Sequence, residues 1–244
     1  MRGHELLVLL FSLSAATGAS LHKSTPQLGA KPNLIAATRP AQPTPAAKLL
    51  DVGFATASET TLLLMILKAA TLAIKRFTTA GSLQNKVACQ LTWLLIVQGS
   101  SRLQGICQIS KPTKTLNPDW YDKLAKPAWN PPPWAFPVAW IPLKILQTIA
   151  ANLAWQALGQ PTLSLPIVLF LAHIALGDVW NVQFFVKQRP LTGLLTIYAF
   201  LGVLIAATGS FLIANPISGY LVAPTVAWVV VASSLNLDVW FLNR

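Results

Sequence analysis

Charge is scarce in this chain of 244 residues. Only 10% of positions are Asp, Glu, Lys or Arg, and seven of them are acidic. Soluble domains carry about a quarter charged residues, so a soluble globular protein is excluded. Cysteine is nearly absent: Cys89 and Cys107 stand alone. If both lie on one helix, about 27 Å of axial rise separates them, which excludes a disulfide within the chain and a cysteine-based metal site. The sequence holds no phosphate-cradling glycine loop, paired catalytic carboxylates, nucleophile triad or metal-spaced His/Cys cluster.

What is present is apolar. Hydrophobic residues make up 54% of the chain and mean hydropathy is +0.55, which is the composition of a multi-pass membrane protein. The net charge of +11 does not imply a nucleic-acid partner. The basic residues are scattered singly, and many lie in the N-terminal third or at the ends of apolar runs, as topology signals do.

Residues 1–20 have a basic start at Arg2, an apolar core over 6–13 and a small-residue tail, and so resemble a secretory signal. Residues 21–58 turn to Pro, Ala, Ser and Thr with scattered Lys and Arg, and are expected to be disordered and transit-like. The two together match the address of proteins entering a plastid of secondary origin. A mitochondrial presequence or an ordinary signal leading to the endoplasmic reticulum is the alternative. Residues 59–85 are an amphipathic or extra spanning helix, with Lys68 in the middle arguing against a lipid-facing span.

Residues 86–244 form the membrane domain. Spans are expected over 86–108, 134–158, 162–186, 191–214 and 220–242. Short breaks at Gly159-Gln160-Pro161, at Lys187 to Pro190 and at Asn215 to Gly219 make neighbours antiparallel. The fold class is therefore all-α, a five-helix transmembrane bundle with a disordered N-terminal extension and an extra hydrophobic helix in question. Lys111, Lys114, Lys123, Lys126, Lys187, Arg189 and Arg244 fall on one side, while the second-to-third and fourth-to-fifth turns carry no Lys or Arg. The loop before the second span and the C-terminus thus share the cytosol-like face.

That loop is the most unusual stretch. Between 120 and 140 it carries Trp120, Tyr121, Trp129, Trp134, Phe136 and Trp140 together with Pro127, Pro131, Pro132, Pro133 and Pro137. The prolines stiffen it, and the amphipathic rings suit either an aromatic belt at the membrane boundary or the lid of a ligand site.

These residues carry a resemblance. The pattern W-Y-x-x-L-x-K-P-x-W-x-P-P is met by Trp120, Tyr121, Leu124, Lys126, Pro127, Trp129, Pro131 and Pro132. Trp180, Phe184 and Phe185 fit W-x-x-x-F-F in the third span. Pro224, Trp228, Ala232, Leu235, Asn236 and Asn243 fit the pattern of the fifth. Residues 86–244 therefore resemble the TspO/translocator protein family, the tryptophan-rich sensory proteins or peripheral-type benzodiazepine receptors. The resemblance implies a five-helix bundle with a cavity under the aromatic loop that binds tetrapyrroles such as protoporphyrin IX or haem, and in some members sterols and drugs. It needs no cofactor. Light-driven porphyrin breakdown attributed to some members is the enzymatic alternative, and a ligand-free scaffold is a third. Carried over, the cavity wall is Trp129, Trp140, Trp180, Trp228 and Ala232.

Helical spacing supports the same faces: Trp228, Ala232 and Leu235 share one, and His173, Gly177, Trp180 and Phe184 another. Close helix packing explains such small residues equally well. The chain departs from the family at Gly177 (usually Asn), His173 (usually Gln), Lys144 and Thr225 (usually Tyr), and it lacks the Tyr of the sterol-type motif near Leu235, so sterol recognition is not expected. Lys144 and Asp178 both lie about 12 to 14 Å deep, where charges must face inward and pair. An ion pair between them is expected, with Lys144, like Lys126, available to a ligand carboxylate. Asp238, near a helix end, is expected to be solvated. His173 is an interior hydrogen-bonded residue or a ligand. The candidate site is thus Trp129, Trp140, Lys144, His173, Gly177, Trp180, Trp228 and Ala232, with a tetrapyrrole or lipid as partner. Gly202 and Ala206 mark a close helix contact, within the chain or in a homodimer.

Overall fold

The computed structural model describes residues 43–107 and 119–244. The signal-like segment, most of the transit-like segment, and Lys111 and Lys114 lie outside the described residues.

Eight α-helices make up the described chain, with no strand among the described residues. They are α1 (Pro45–Phe77), α2 (Leu83–Gly99), α3 (Gln104–Cys107), α4 (Trp120–Lys123), α5 (Ala135–Ala157), α6 (Leu165–Asn181), α7 (Pro190–Ala214) and α8 (Pro216–Leu242). Among the described residues, five helical segments are long and apolar enough to cross a membrane: Pro45–Phe77, Ala135–Ala157, Leu165–Val186, Pro190–Ala214 and Pro216–Leu242. The all-α membrane bundle read from the sequence is therefore the fold. Its membership differs in two respects: the span expected over 86–108 is not among the five, and the extra hydrophobic helix is. The extra hydrophobic helix is a full member that packs along α6 and α2.

That helix corrects the expectation of disorder over 21–58, because it begins at Pro45. Thr44 caps it, its side chain accepting from the Ala47 amide at 3.2 Å, and Pro45 takes the first turn, where a missing N–H costs nothing. Lys75 and Arg76 complement the dipole in its last turn. Its threonines do not break it: Thr56, Thr60, Thr61 and Thr71 each return their hydroxyl to the carbonyl four residues earlier. Lys68 is exposed, as a snorkelling lysine requires, while Leu63 and Leu67 are buried.

The first span expected over 86–108 is broken. Helix α2 stops at Gly99, a 3-10 turn covers Ser100–Arg102, and α3 resumes to Cys107. Cys89 and Cys107 are both free.

Helices α5 to α8 follow the expected order. Gly159 (φ 81°) and Gln160 (φ 59°) turn the chain after α5 in a left-handed conformation that glycine adopts freely. Helix α6 does not end as an α-helix. Val182–Val186 form a π turn closed by the Lys187 amide on the Val182 carbonyl at 2.7 Å. Asn215 caps α8 through its side chain, and Pro224 sits inside that helix, where it removes one backbone bond.

The core is aromatic. Trp93 meets Trp155 and Phe170 edge-on, each at 5.9 Å, and Phe170 stacks on Phe211 at 4.9 Å. Helices α7 and α8 approach closely at Gly219, which lies against Leu212. Gly202 and Ala206 are exposed, and a side chain at Gly202 would meet nothing within 4 Å. The close contact expected there is not made within the chain.

Contacts between elements define two faces. Asp51, near the start of α1, bonds Lys187 beyond α6, and Asn243 at the C-terminus bonds Ala125 in the aromatic loop. Gln160 reaches Cys89 near the start of α2 on the other face. The turn between α1 and α2 lies on that second face, so Lys75, Arg76 and Lys86 add basic charge to a side otherwise poor in it.

Candidate ligand cavities

Trp140, Lys144 and Gln147 follow one another at helical spacing on α5, and His173, Gly177 and Trp180 do so on α6. These two rows, with Asp178, Asn181 and Phe200, line a small cavity of about 40 Å³ with an open mouth. A second cavity, of about 20 Å³, lies under the aromatic loop. Tyr121 comes from the aromatic loop, Phe136 from the start of α5, Phe184 and Phe185 from the π turn, and Ala232, Leu235 and Asn236 from α8. Trp180 belongs to both and forms the partition between them. Its indole N–H donates to Asn236 Oδ1 at 3.1 Å, and Asn236 in turn donates to the Ala232 carbonyl at 2.9 Å, so the partition is fixed.

The candidate residues divide accordingly. Trp140, Lys144, His173, Gly177 and Trp180 come together in the first cavity, and Trp180 with Ala232 in the second. Trp228 lines neither. It packs edge-on against Phe136 at 6.1 Å, behind the second cavity wall. Trp129 also lines neither: it is 46% exposed, and its indole N–H donates to Asp238 Oδ2 at 3.0 Å. Asp238 is thus not simply solvated. It pins the loop to α8.

The Lys144–Asp178 ion pair is not formed. Lys144 Nζ donates instead to the Val97 carbonyl at 2.9 Å. Val97 lies in the last turn of α2, where the break at Gly99 leaves carbonyls without helical donors, and a lysine can satisfy such a group. Asp178 is buried, and its Oδ2 has no hydrogen-bond partner among the described residues. His173 is 1% exposed, set between Phe170 (4.6 Å, edge-on) and Phe200 (6.1 Å, stacked), and neither ring nitrogen has a hydrogen-bond partner among the described residues. Gly177 has a packing role as well, because a Cβ there would sit 3.3 Å from Phe200 Cζ. Lys126 is held within the loop, donating to the carbonyls of Asp122 and Leu124 and lying 4.6 Å from the Tyr121 ring centre.

Tyr121 anchors the loop over the second cavity. Its ring meets Phe184 at 6.2 Å and Phe185 at 5.6 Å, and its hydroxyl donates to Asn130 Oδ1 at 3.2 Å. Burial, and secondarily the Asp122 carboxylate, push its phenol up to about 12. Trp120 rests edge-on against Phe184 at 5.4 Å. From α8, Asn243 clamps the same loop: it accepts from the Ala125 amide at 3.0 Å and donates to its carbonyl at 2.9 Å. Gln147 donates to Thr225 Oγ1 at 3.1 Å, tying α5 to α8.

One cluster has no counterpart in the sequence reading. Asp51 on α1 pairs with Lys187, accepts from Gln183 Nε2 at 3.1 Å and lies 3.9 Å from Arg189. The signal available was a lone acid in a basic segment, set against a basic turn far along the chain. No group of three or more metal-ligating side chains occurs among the described residues.

A family model described as the TspO/MBR family matches residues 87–241, which leaves α1 outside the match. Protein CrtK of Rhodobacter capsulatus is 38% identical over 125 residues, covering 51% of this chain and 78% of that protein. The tryptophan-rich sensory protein of Cereibacter sphaeroides is 33% identical over 129 residues, 52% and 80% respectively. The human translocator protein is 29% identical over 127 residues, 51% and 75%. With two rows of cavity-lining residues on α5 and α6, an aromatic loop clamped to α8, and a match that runs from α2 to the end of α8, this chain belongs to the TspO/MBR family.

Proposed function

We infer that the chain is a membrane receptor or carrier that takes a tetrapyrrole, or a similarly flat amphipathic molecule, from the face bearing the aromatic loop. The observation that carries this reading is the first cavity, which Trp140, Trp180 and Lys144 line together. Flat apolar walls with one cation suit a planar ring that bears a carboxylate. Lys144 is spent only on a backbone carbonyl, a partner that a ligand acid can replace with a stronger, charge-assisted bond.

The test is a dark titration of the detergent-purified full chain with protoporphyrin IX, followed by tryptophan quenching. Saturable one-site binding, weakened at least about fivefold by Lys144→Met, is the expected result. Linear quenching indifferent to Lys144→Met and Trp180→Phe is partition into the micelle and refutes the reading. The address-like composition of residues 1–44, before α1, favours a plastid membrane as the destination. A fluorescent fusion of that segment that instead reaches mitochondria or the endoplasmic reticulum refutes it.

A further inference from the structure

Helix α1 is longer than a bilayer needs. Its 33 residues span about 50 Å, against a hydrocarbon core of about 30 Å. The Asp51 carboxylate, which accepts from Gln183, sets where the excess falls. From Gln183 back to Leu165, the start of α6, is about 27 Å of helix, whereas from Asp51 to Phe77 is about 39 Å. The two helices run antiparallel, so α1 passes the start of α6 by about 12 Å. Lys68 lies level with that start, where a snorkelling lysine belongs. Lys75, Arg76 and Phe77 lie beyond it.

The tip of this hairpin is cationic without compensation. Thr78 Oγ1 accepts from Asn85 Nδ2 at 2.9 Å, which ties the end of α1 to the start of α2 and gathers Lys75, Arg76 and Lys86 around one turn. All three are exposed. No Asp or Glu occurs from residue 60 to residue 118, and the other turns on this face, 158–164 and 215–219, carry no charge. The helix dipole accounts for two of the three cations. Lys75 and Arg76 stand in the last turn of α1, but Lys86 stands in the first turn of α2, where a cation is unfavourable. Like charges gathered there call for an anion from outside the chain. Beside them Leu72, Phe77 and Leu83 are 61%, 79% and 77% exposed, apolar groups past the level at which α6 begins. Cations with apolar neighbours at a membrane boundary match the headgroup layer. We propose that the tip joining α1 to α2 is a binding surface for anionic phospholipid, Lys75, Arg76 and Lys86 holding headgroup phosphates while Phe77 and Leu83 enter the acyl boundary. Helix α1 and Lys86 both lie outside the segment matched by the family, so the surface belongs to this chain's own extension and stands apart from what the cavities bind.

The full chain, purified in neutral detergent, is titrated with phosphatidylglycerol, phosphatidylcholine or inorganic phosphate while hydrogen exchange across 78–86 is followed. Phosphatidylglycerol is expected to slow exchange there saturably, at a concentration at least about tenfold below any effect of phosphatidylcholine. Lys75→Gln/Arg76→Gln/Lys86→Gln should weaken that effect at least about tenfold, whereas the charge-preserving Lys75→Arg/Arg76→Lys/Lys86→Arg keeps it within about twofold. Where the triple Gln variant does not fold, Lys86→Gln alone should weaken the effect about fivefold. Equal slowing by the two lipids, equal slowing by inorganic phosphate at the same concentration, or a Gln variant protected as well as wild type overturns the proposal. Equal slowing at the uncharged 215–219 turn on the same face is a general effect of the micelle and overturns it too.

Discussion

The buried ions that tie α1 to the rest of the bundle should behave as one unit. Asp51 and Lys187 have side chains 6% and 3% exposed, while Arg189, 3.9 Å from the same carboxylate, is 20% exposed. Asp51→Leu removes the anion and leaves the Lys187 ammonium buried beside a second cation, and it deprives Gln183 of its acceptor. Breaking a buried pair costs about 3–5 kcal/mol. The lower end applies here, because Lys187 follows the end of α6 and can bend toward water. A loss of about 3 kcal/mol shifts the docking equilibrium of α1 roughly a hundredfold. The assay is thermal unfolding in detergent combined with limited proteolysis of the 78–82 turn, which is cut faster when α1 undocks. Lys187→Met should cost a similar amount, and the double variant Asp51→Leu/Lys187→Met should recover at least half of the loss. Single losses that simply add in the double variant refute a coupled pair.

Other consequences follow from local geometry. Asn243→Ala removes both bonds to Ala125. At about 1 kcal/mol for a half-exposed clamp, hydrogen exchange at the Ala125 amide should accelerate about fivefold. Gly219→Ala places a Cβ 2.2 Å from Leu212 Cγ and 2.8 Å from its Cα, so α7 and α8 must part at a cost of about 2 kcal/mol. Gly202→Ala, with nothing within 4 Å, should be neutral or slightly stabilising, and thermal unfolding of the two variants side by side checks the contrast. Tyr121 keeps its proton up to about 12, whereas an unfolded phenol loses it near 10. Between those values the folded state binds the extra proton, so stability present below pH 10 declines as pH rises toward 12. Tyr121→Phe should lack that share of the decline in a comparison of unfolding across the window.

The sequence made the bundle legible because span length and short polar breaks are one-dimensional properties. The turns at Gly159, Lys187 and Asn215 stand where the composition changes. The tryptophans and small residues of the cavities were legible by spacing, since Trp140 and Lys144, or His173, Gly177 and Trp180, share a helical face whatever the partner helix. Which polar groups pair was not. Lys144 and Asp178 do line one cavity, but depth alone says nothing about the free carbonyl of Val97, which exists only because α2 breaks at Gly99. Trp129 looked like a cavity wall by motif. Its partner, Asp238, is supplied by another helix 109 positions away and turns it outward. Helix α1 was hidden for a compositional reason: threonine, serine and alanine read as linker until their hydroxyls fold back onto the helix that carries them.

Helix α1 and the second cavity are connected through the end of α6. In a regular α-helix consecutive residues point about 100° apart, so Phe184 and Phe185 could not both face one cavity wall. The π turn over Val182–Val186 widens the helix there. Both rings then line the second cavity, 4.8 Å apart and edge-on to each other, and both meet Tyr121 of the loop. Gln183, inside that turn, donates to Asp51, and Lys187, whose amide closes the turn, pairs with the same carboxylate. A single acid on α1, outside the segment shared with the family, is thus bonded at both ends of the turn that positions the cavity's aromatic wall. Loss of Asp51 should therefore loosen Phe184 and Phe185 against Tyr121 as well as undock α1. In the Asp51→Leu variant that coupling would be read as faster hydrogen exchange across 182–187, while the α7–α8 contact at Gly219 stays as protected as in wild type.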